Sequence, residues 1–163
     1  MLALAAALPV LAAFPPPPLV DVAEAIPDAV LDLRYATDAN FTGRALYPAG
    51  ARCLLLKPVA ERLARAASRV RSEGFRLRVY DCYRPVSAQR ELWRRFPKPG
   101  FVANPRWGSH HNRGAAVDVG LAAKDGGEVA LPTAFDAFEP RAAAGAVDGV
   151  PPEARRHCDL LRR

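Results

Sequence analysis

Apolar positions along this chain fall into short blocks with two different periods. Over Pro58–Glu73 (PVAERLARAASRVRSE), Val59, Leu63, Ala66, Ala67 and Val70 recur at helical spacing, which predicts an amphipathic helix. Pro58 stands at its start and Gly74 after its end, the residues expected at those two positions. Phe75–Asp81 (FRLRVYD) then switches to a period of two, with Phe75, Leu77 and Val79 set against Arg76, Arg78 and Tyr80; this predicts a strand with one buried face. Pro85–Phe96 reads as a second helix and Pro97–Gly108 as a long loop. Ala115–Leu121 (AAVDVGL) is apolar and β-leaning but interrupted by one aspartate. Asp125-Gly126-Gly127 turns the chain, and Glu128–Leu131 is expected to return as a hairpin partner. Upstream, Ala29–Thr37 predicts a short strand followed by a polar turn over Asp38–Gly43. Downstream, Thr133–Val150 reads as irregular loop and Pro151–Arg163 as a last helix without a capping glycine. The order of elements predicts an α+β single domain: a small, antiparallel-rich sheet with flanking helices.

Composition narrows the picture. The 163 residues are 25% charged and 50% hydrophobic, enough for one domain with its own core and not for two. No apolar run reaches the roughly 18–20 residues of a membrane span. The net charge of +6 is carried by Arg far more than Lys, and the basic residues are interleaved with Asp and Glu. A nucleic-acid surface gathers them into a stripe, so no nucleic-acid partner is expected. Met1–Phe14 (MLALAAALPVLAAF) has the length and small residues of a secretory apolar region, though no Lys or Arg precedes it, and Pro15–Pro18 follow as a stiff linker. The chain therefore divides into a signal-like segment and linker over 1–20 and a folded domain over 21–163. A periplasmic or secreted location is the expectation, a cytoplasmic one with an untidy N-terminal extension the alternative. Of three cysteines, Cys53 and Cys82 flank a predicted helix and strand, so a staple between them is geometrically open and would agree with an oxidising compartment. Two buried thiols fit the spacing as well. Cys158 is left odd.

Two segments carry chemistry. In Gly108–Asp118 (GSHHNRGAAVD), a carboxylate sits inside an apolar strand, which costs several kcal/mol unless paired or coordinated. His111 lies seven residues before Asp118, and a loop ending at Gly114 can turn both side chains to one place; imidazole with carboxylate is a zinc pair, although two ligands alone do not fix an ion. In Tyr80–Pro85 (YDCYRP), Arg84 stands where a strand hands over to a helix. A guanidinium there can point into a cleft to meet a carboxylate or a developing oxyanion, or else pair with Asp81 on the surface.

These segments resemble a family. Ser109, His111, Gly114, Ala116 and Asp118 match the S-x-H-x-x-G-x-A-x-D signature of the zinc D-alanyl-D-alanine dipeptidases. YDCYRP is similar to that family's D-G-Y-R-P segment, with Cys82 in place of the glycine. Leu33–Tyr47 (LRYATDANFTGRALY) resembles its Y-A-T-x-x-N-F-T-G stretch, and Pro132–Phe138 (PTAFDAF) its loop after the hairpin. The four stand in the family's order. The resemblance implies hydrolysis of D-Ala-D-Ala in cell-wall peptide metabolism, with Zn2+ held by His111 and Asp118 and Arg84 stabilising the tetrahedral intermediate's oxygen. It places Ser109 at the substrate's C-terminal carboxylate and Tyr35 and Asp136 near its free amine.

One departure stands out. The family pattern continues into an E-x-x-H segment that supplies the third ligand and the general base, and no E-x-x-H occurs in this sequence. The expectation is a domain whose last strands are missing. His110 and His157 are the remaining histidines that could stand in, against which neighbours on an extended chain face opposite ways and His157 falls on the last helix. A non-catalytic binder of peptidoglycan peptides on the same fold is the alternative reading, and a zinc peptidase for longer stem peptides a third.

Overall fold

A computed structural model describes residues 17–162, residues 144 and 147 excepted; the apolar stretch Met1–Phe14 lies outside the described residues. The alternating segment after Gly74 forms the central strand, Arg76–Asp81, and the helical pattern before it forms the longest helix, Lys57–Ser72. In chain order the strands are β1 (Leu19–Asp21), β2 (Val30–Leu31), β3 (Leu54–Leu56), β4 (Arg76–Asp81) and β5 (Asp118–Ala122). The helices are α1 (Val22–Ala25), α2 (Lys57–Ser72), α3 (Val86–Arg95) and α4 (Pro152–Arg162). This is α+β, as the order of patterns predicts.

The strands make two small sheets rather than one. β4 is central in the larger, parallel to β2 and antiparallel to β5, while β1 and β3 pair antiparallel. β1 and β3 are three residues each, too short to show a period. Ala29–Thr37 keeps only Val30 and Leu31 in the sheet. The Asp32 amide makes a last bond to the Val79 carbonyl, and the Asp32 carboxylate is taken by Arg34 and Arg78. The chain then leaves the sheet through a 3₁₀ turn at Arg34–Ala36 that buries Tyr35. Glu128–Leu131 returns only as far as one bridge, Ala122 to Glu128. The Ala130 carbonyl is engaged by His157 of α4 instead of by β5.

Two apolar clusters result. One joins α1, α2, β3 and β4 through Val22, Leu55, Leu63, Val70, Leu77 and Val79; the other gathers Tyr35, Tyr47, Ala88, Leu92 and Val102 around α3. The end of β4 lies between them.

Candidate active site

β4 ends at Asp81, directly opposite Asp118, where β5 begins, with a register irregularity between Val79 and Asp81. The two functional segments of the sequence therefore meet at one end of the sheet. His111 rides on a 3₁₀ turn, His110–Arg113, closed at its start by a capping box. The Ser109 hydroxyl accepts from the His111 amide, and the Asn112 side chain accepts from the Ser109 amide. At its end Gly114 is left-handed, with φ 64°, and a Cβ there would lie 2.7 Å from Leu19 Cδ2 and 3.3 Å from the Leu56 nitrogen. Only glycine lets this loop press onto β1 and β3, where the Gly114 carbonyl accepts from the Leu56 amide.

His111 Nδ1 lies 2.8 Å from the Cys82 carbonyl. A carbonyl only accepts, so this nitrogen carries the proton and Nε2 keeps its lone pair. Nε2 stands 3.5 Å from Asp118 Oδ1. Burial works against the imidazolium, but the Asp118 carboxylate outweighs it and holds the His111 pKa above the usual histidine value. Arg84 is buried beside them. Its Nε and Nη2 donate to Asp81 Oδ2 at 2.9 and 2.6 Å, its Nη1 donates to Gln89 Oε1 at 2.8 Å, and Nη2 reaches Asp118 Oδ2 at 3.7 Å. The Tyr35 ring faces the guanidinium at 5.1 Å. Burial alone would lower the Arg84 pKa; the Asp81 carboxylate reverses this and keeps the cation. Asp81 is wholly buried and its other oxygen accepts from Tyr47 at 2.6 Å. Arg84 therefore pairs with Asp81, but inside the molecule rather than on its surface.

Tyr35, Arg84, Ser109, His111, Asp118 and Asp136 all line one cleft of about 890 Å3. On its far wall Asp136 has φ 60°, a left-handed conformation that Asp tolerates better than most residues. Phe135 fixes it there, packed against Tyr35 and Tyr80 at centroid distances of 5.7 and 5.0 Å. Asp136 Oδ1 accepts from the Tyr35 hydroxyl at 3.1 Å, while Oδ2 is buried with no partner. Burial pushes the Asp136 carboxyl up to about 6.

Neither alternative histidine joins the site. The exposed His110 accepts from Arg113, and His157 is buried against Phe75 with Nδ1 at 2.7 Å from the Ala130 carbonyl. The sequence offers Asp81 only as a surface partner of Arg84, and Tyr47, Gln89 and Asn112 carry no such signal. Asn112 donates to the Arg84 carbonyl at 2.7 Å, which ties the two functional segments together. Asp81 was the one with a signal, a carboxylate three residues before Arg84. Cys53 and Cys82 form a disulfide at the back of the site, and Cys158 is free.

His111 Nε2 and an Asp118 oxygen offer a nitrogen and an oxygen donor to one point, a set suited to zinc or a similar divalent ion. Asp81 has an oxygen close enough to share that point, since ligand atoms of Asp81, His111 and Asp118 all lie within 4.8 Å of one another. Both its oxygens are already taken by Arg84 and Tyr47. The geometry thus makes Asp81 the support for Arg84, and His111 with Asp118 the open pair.

Comparison with known proteins agrees with this layout. The family described as D-ala-D-ala dipeptidase matches residues 17–163. The D-alanyl-D-alanine dipeptidase of Escherichia coli (strain K12) is 40% identical over 143 residues, covering 88% of this chain and 73% of that protein. With the family's motifs folded around one cleft and its match running through nearly all of the described residues, the chain belongs to the D-Ala-D-Ala dipeptidase family of metallopeptidases.

Proposed function

We propose that this chain is a zinc dipeptidase that hydrolyses D-Ala-D-Ala to two D-alanines. The observation that carries the reading is the fixed Arg84 guanidinium next to the open His111–Asp118 pair, with Asp136 facing the same cleft. His111 and Asp118 would hold the zinc, which would supply Lewis acidity at the scissile carbonyl and lower the pKa of a water to about 7. Arg84, locked by Asp81 and Gln89, needs no rearrangement to meet the charge that develops on the carbonyl oxygen. Asp136, which lines the cleft with its Oδ1 held by the Tyr35 hydroxyl, would face the substrate's ammonium. Ser109, at the start of the histidine turn, meets the terminal carboxylate. Water's oxygen joins the carbonyl carbon, the C–N bond breaks, and water's two protons end on the leaving nitrogen, giving a carboxylate and an ammonium.

An oxidising location, periplasmic or secreted, is part of this proposal. The Cys53–Cys82 disulfide and the apolar Met1–Phe14 stretch support it. The test is release of D-alanine from D-Ala-D-Ala by zinc-supplemented protein, with and without a chelator. Turnover abolished by the chelator is the expected result; a folded, zinc-supplemented chain that binds the dipeptide without turnover would replace the peptidase reading with that of a binding protein.

A further inference from the structure

The Cys53–Cys82 disulfide joins two strand ends, one residue before β3, where the Cys53 carbonyl accepts from the Val22 amide, and one residue after β4. β4 ends at Asp81, its last pairing with β5 follows an irregular step, and Cys82 has no partner in the ladder. On the other side, Cys53 closes a largely exposed turn over Pro48–Arg52, just before β3. Both cysteines are nevertheless buried, Cys53 completely and Cys82 to 2% exposure. Beyond Cys82 the backbone is held by single bonds, one to β3 and one to the turn that bears His111. Tyr83 donates its amide to the Leu54 carbonyl, and Arg84 donates its amide to the His111 carbonyl. The Cys82 carbonyl, 2.8 Å from His111 Nδ1, is the nearer of two acceptors at that nitrogen, Asp81 Oδ2 standing at 3.4 Å, and both favour the proton there. A ligand histidine keeps its tautomer and ring orientation through such an outer acceptor, and loss of one typically costs 10–100-fold in metal affinity.

We propose that the Cys53–Cys82 disulfide is a positioning device for His111: it anchors the carbonyl that orients the imidazole, so that the oxidised chain holds its metal more tightly than the disulfide-free chain. The inference rests on the metal centre described above. The pair acts through His111 and touches neither metal nor substrate. The same bond anchors the segment between Asp81 and Arg84, so its loss also loosens the guanidinium.

The experiment compares the wild-type chain with the Cys53→Ala/Cys82→Ala variant at a temperature where circular dichroism shows both folded. Two readouts are taken in mildly alkaline solution: the His111 tautomer, by long-range 15N–1H correlation on metal-free protein, and Co2+ affinity, by competition with a chromophoric chelator. The expected result is a single Nδ1–H tautomer in the wild type, a mixture of tautomers in the variant, and Co2+ affinity weakened at least about tenfold. An unchanged tautomer with Co2+ affinity within about twofold of wild type would overturn the inference while leaving the metal centre standing. If the wild-type chain itself binds no Co2+, the metal centre and the inference fall together. Should the alanine pair not fold, Cys53→Val/Cys82→Ala restores part of the lost volume. The wild-type chain reduced with excess dithiol and then freed of it by anaerobic buffer exchange gives the same two readouts, the reductant passing two electrons and two protons to the bond and closing to its own cyclic disulfide.

Discussion

Arg84, buried, and Asp136, half-buried, face one cleft, and their surroundings treat them in opposite ways. Arg84 is satisfied: Asp81 and Gln89 hold its three nitrogens, and Asp81 is in turn held by Tyr47. Removing the counter-ion by Asp81→Asn leaves a buried guanidinium without compensation, and a loss of about 3–5 kcal/mol in urea unfolding is expected. Arg84→Lys keeps the charge but not the fork of donors, so kcat should fall about 10²–10³-fold with a smaller change in stability. Asp136, by contrast, makes no ion pair among the described residues, and burial pushes its carboxyl up to about 6. An acid with a raised pKa is neutral below that value, and a neutral carboxyl cannot pair with the substrate's ammonium. KM for the dipeptide should therefore climb as pH falls below about 6, approaching tenfold per unit. Asp136→Asn should raise KM at neutral pH and abolish this acid limb. A wild-type KM that stays flat between pH 7 and 5 would remove Asp136 from the amine site.

Elements carry these residues to their positions, and here the turn that bears His111 depends on Gly114 for two separate reasons. Its φ of 64° strains any other residue, and a Cβ would lie 3.3 Å from the Leu56 nitrogen and 3.5 Å from Leu55 Cα, backbone of β3, besides displacing the tip of Leu19 at 2.7 Å. Gly43 has the same conformation, φ 65°, with nothing within 4 Å of the added atom. Gly43→Ala should therefore cost about 1 kcal/mol from backbone strain alone. Gly114→Ala should cost clearly more by thermal or urea unfolding, together with weakened metal binding as the turn is pushed off β3. Equal costs would mean that the contact with β1 and β3 does not position the turn. How readily each element shows in the sequence follows from its length and from the source of its order. α2 and β4 carry enough apolar positions for a period to be read, and α4 begins where its prolines place it. β1 and β3 are three residues each, and α1 is four. They exist through pairing with each other and through the Gly114 contact, which no local pattern encodes. The strand expected over Ala29–Thr37 shortens because Asp32, Arg34 and Arg78 form a polar knot that draws the chain off the sheet. The chemistry was easier to read. His111, Asp118, Arg84, Ser109, Tyr35 and Asp136 stand in recognisable motifs and converge on one cleft. Tyr47 and Gln89 hold Asp81 and Arg84 from separate segments, so their part depends on tertiary contact alone.

At the scale of the whole molecule, two apolar clusters meet at the end of β4, and the site is built on the seam between them. Asp81 stands at the seam on the end of β4, taking Tyr47 of one cluster on one oxygen and Arg84 on the other. The Cys53–Cys82 disulfide lies entirely within the other cluster, closing 29 residues that include β3, α2 and β4. A loop of that length is worth about 3–4 kcal/mol of stability by chain entropy. In a single domain of this size such a loss lowers the unfolding midpoint of the whole chain. Because the bond lies beside Arg84 and His111, the same loss should be felt at the site before the fold gives way. Thiol titration under denaturing, non-reducing conditions should find one thiol per chain, Cys158, rising to three after reduction. Urea unfolding of the reduced chain should then show a lower midpoint with a similar or larger m-value, since a denatured state freed of its cross-link exposes more surface. Three free thiols in the protein as purified from an oxidising compartment would remove the staple, the stability ascribed to it and the support it lends to an exported dipeptidase. One thiol with an unchanged midpoint after reduction would keep the bond but confine its effect to the loop that carries Cys82.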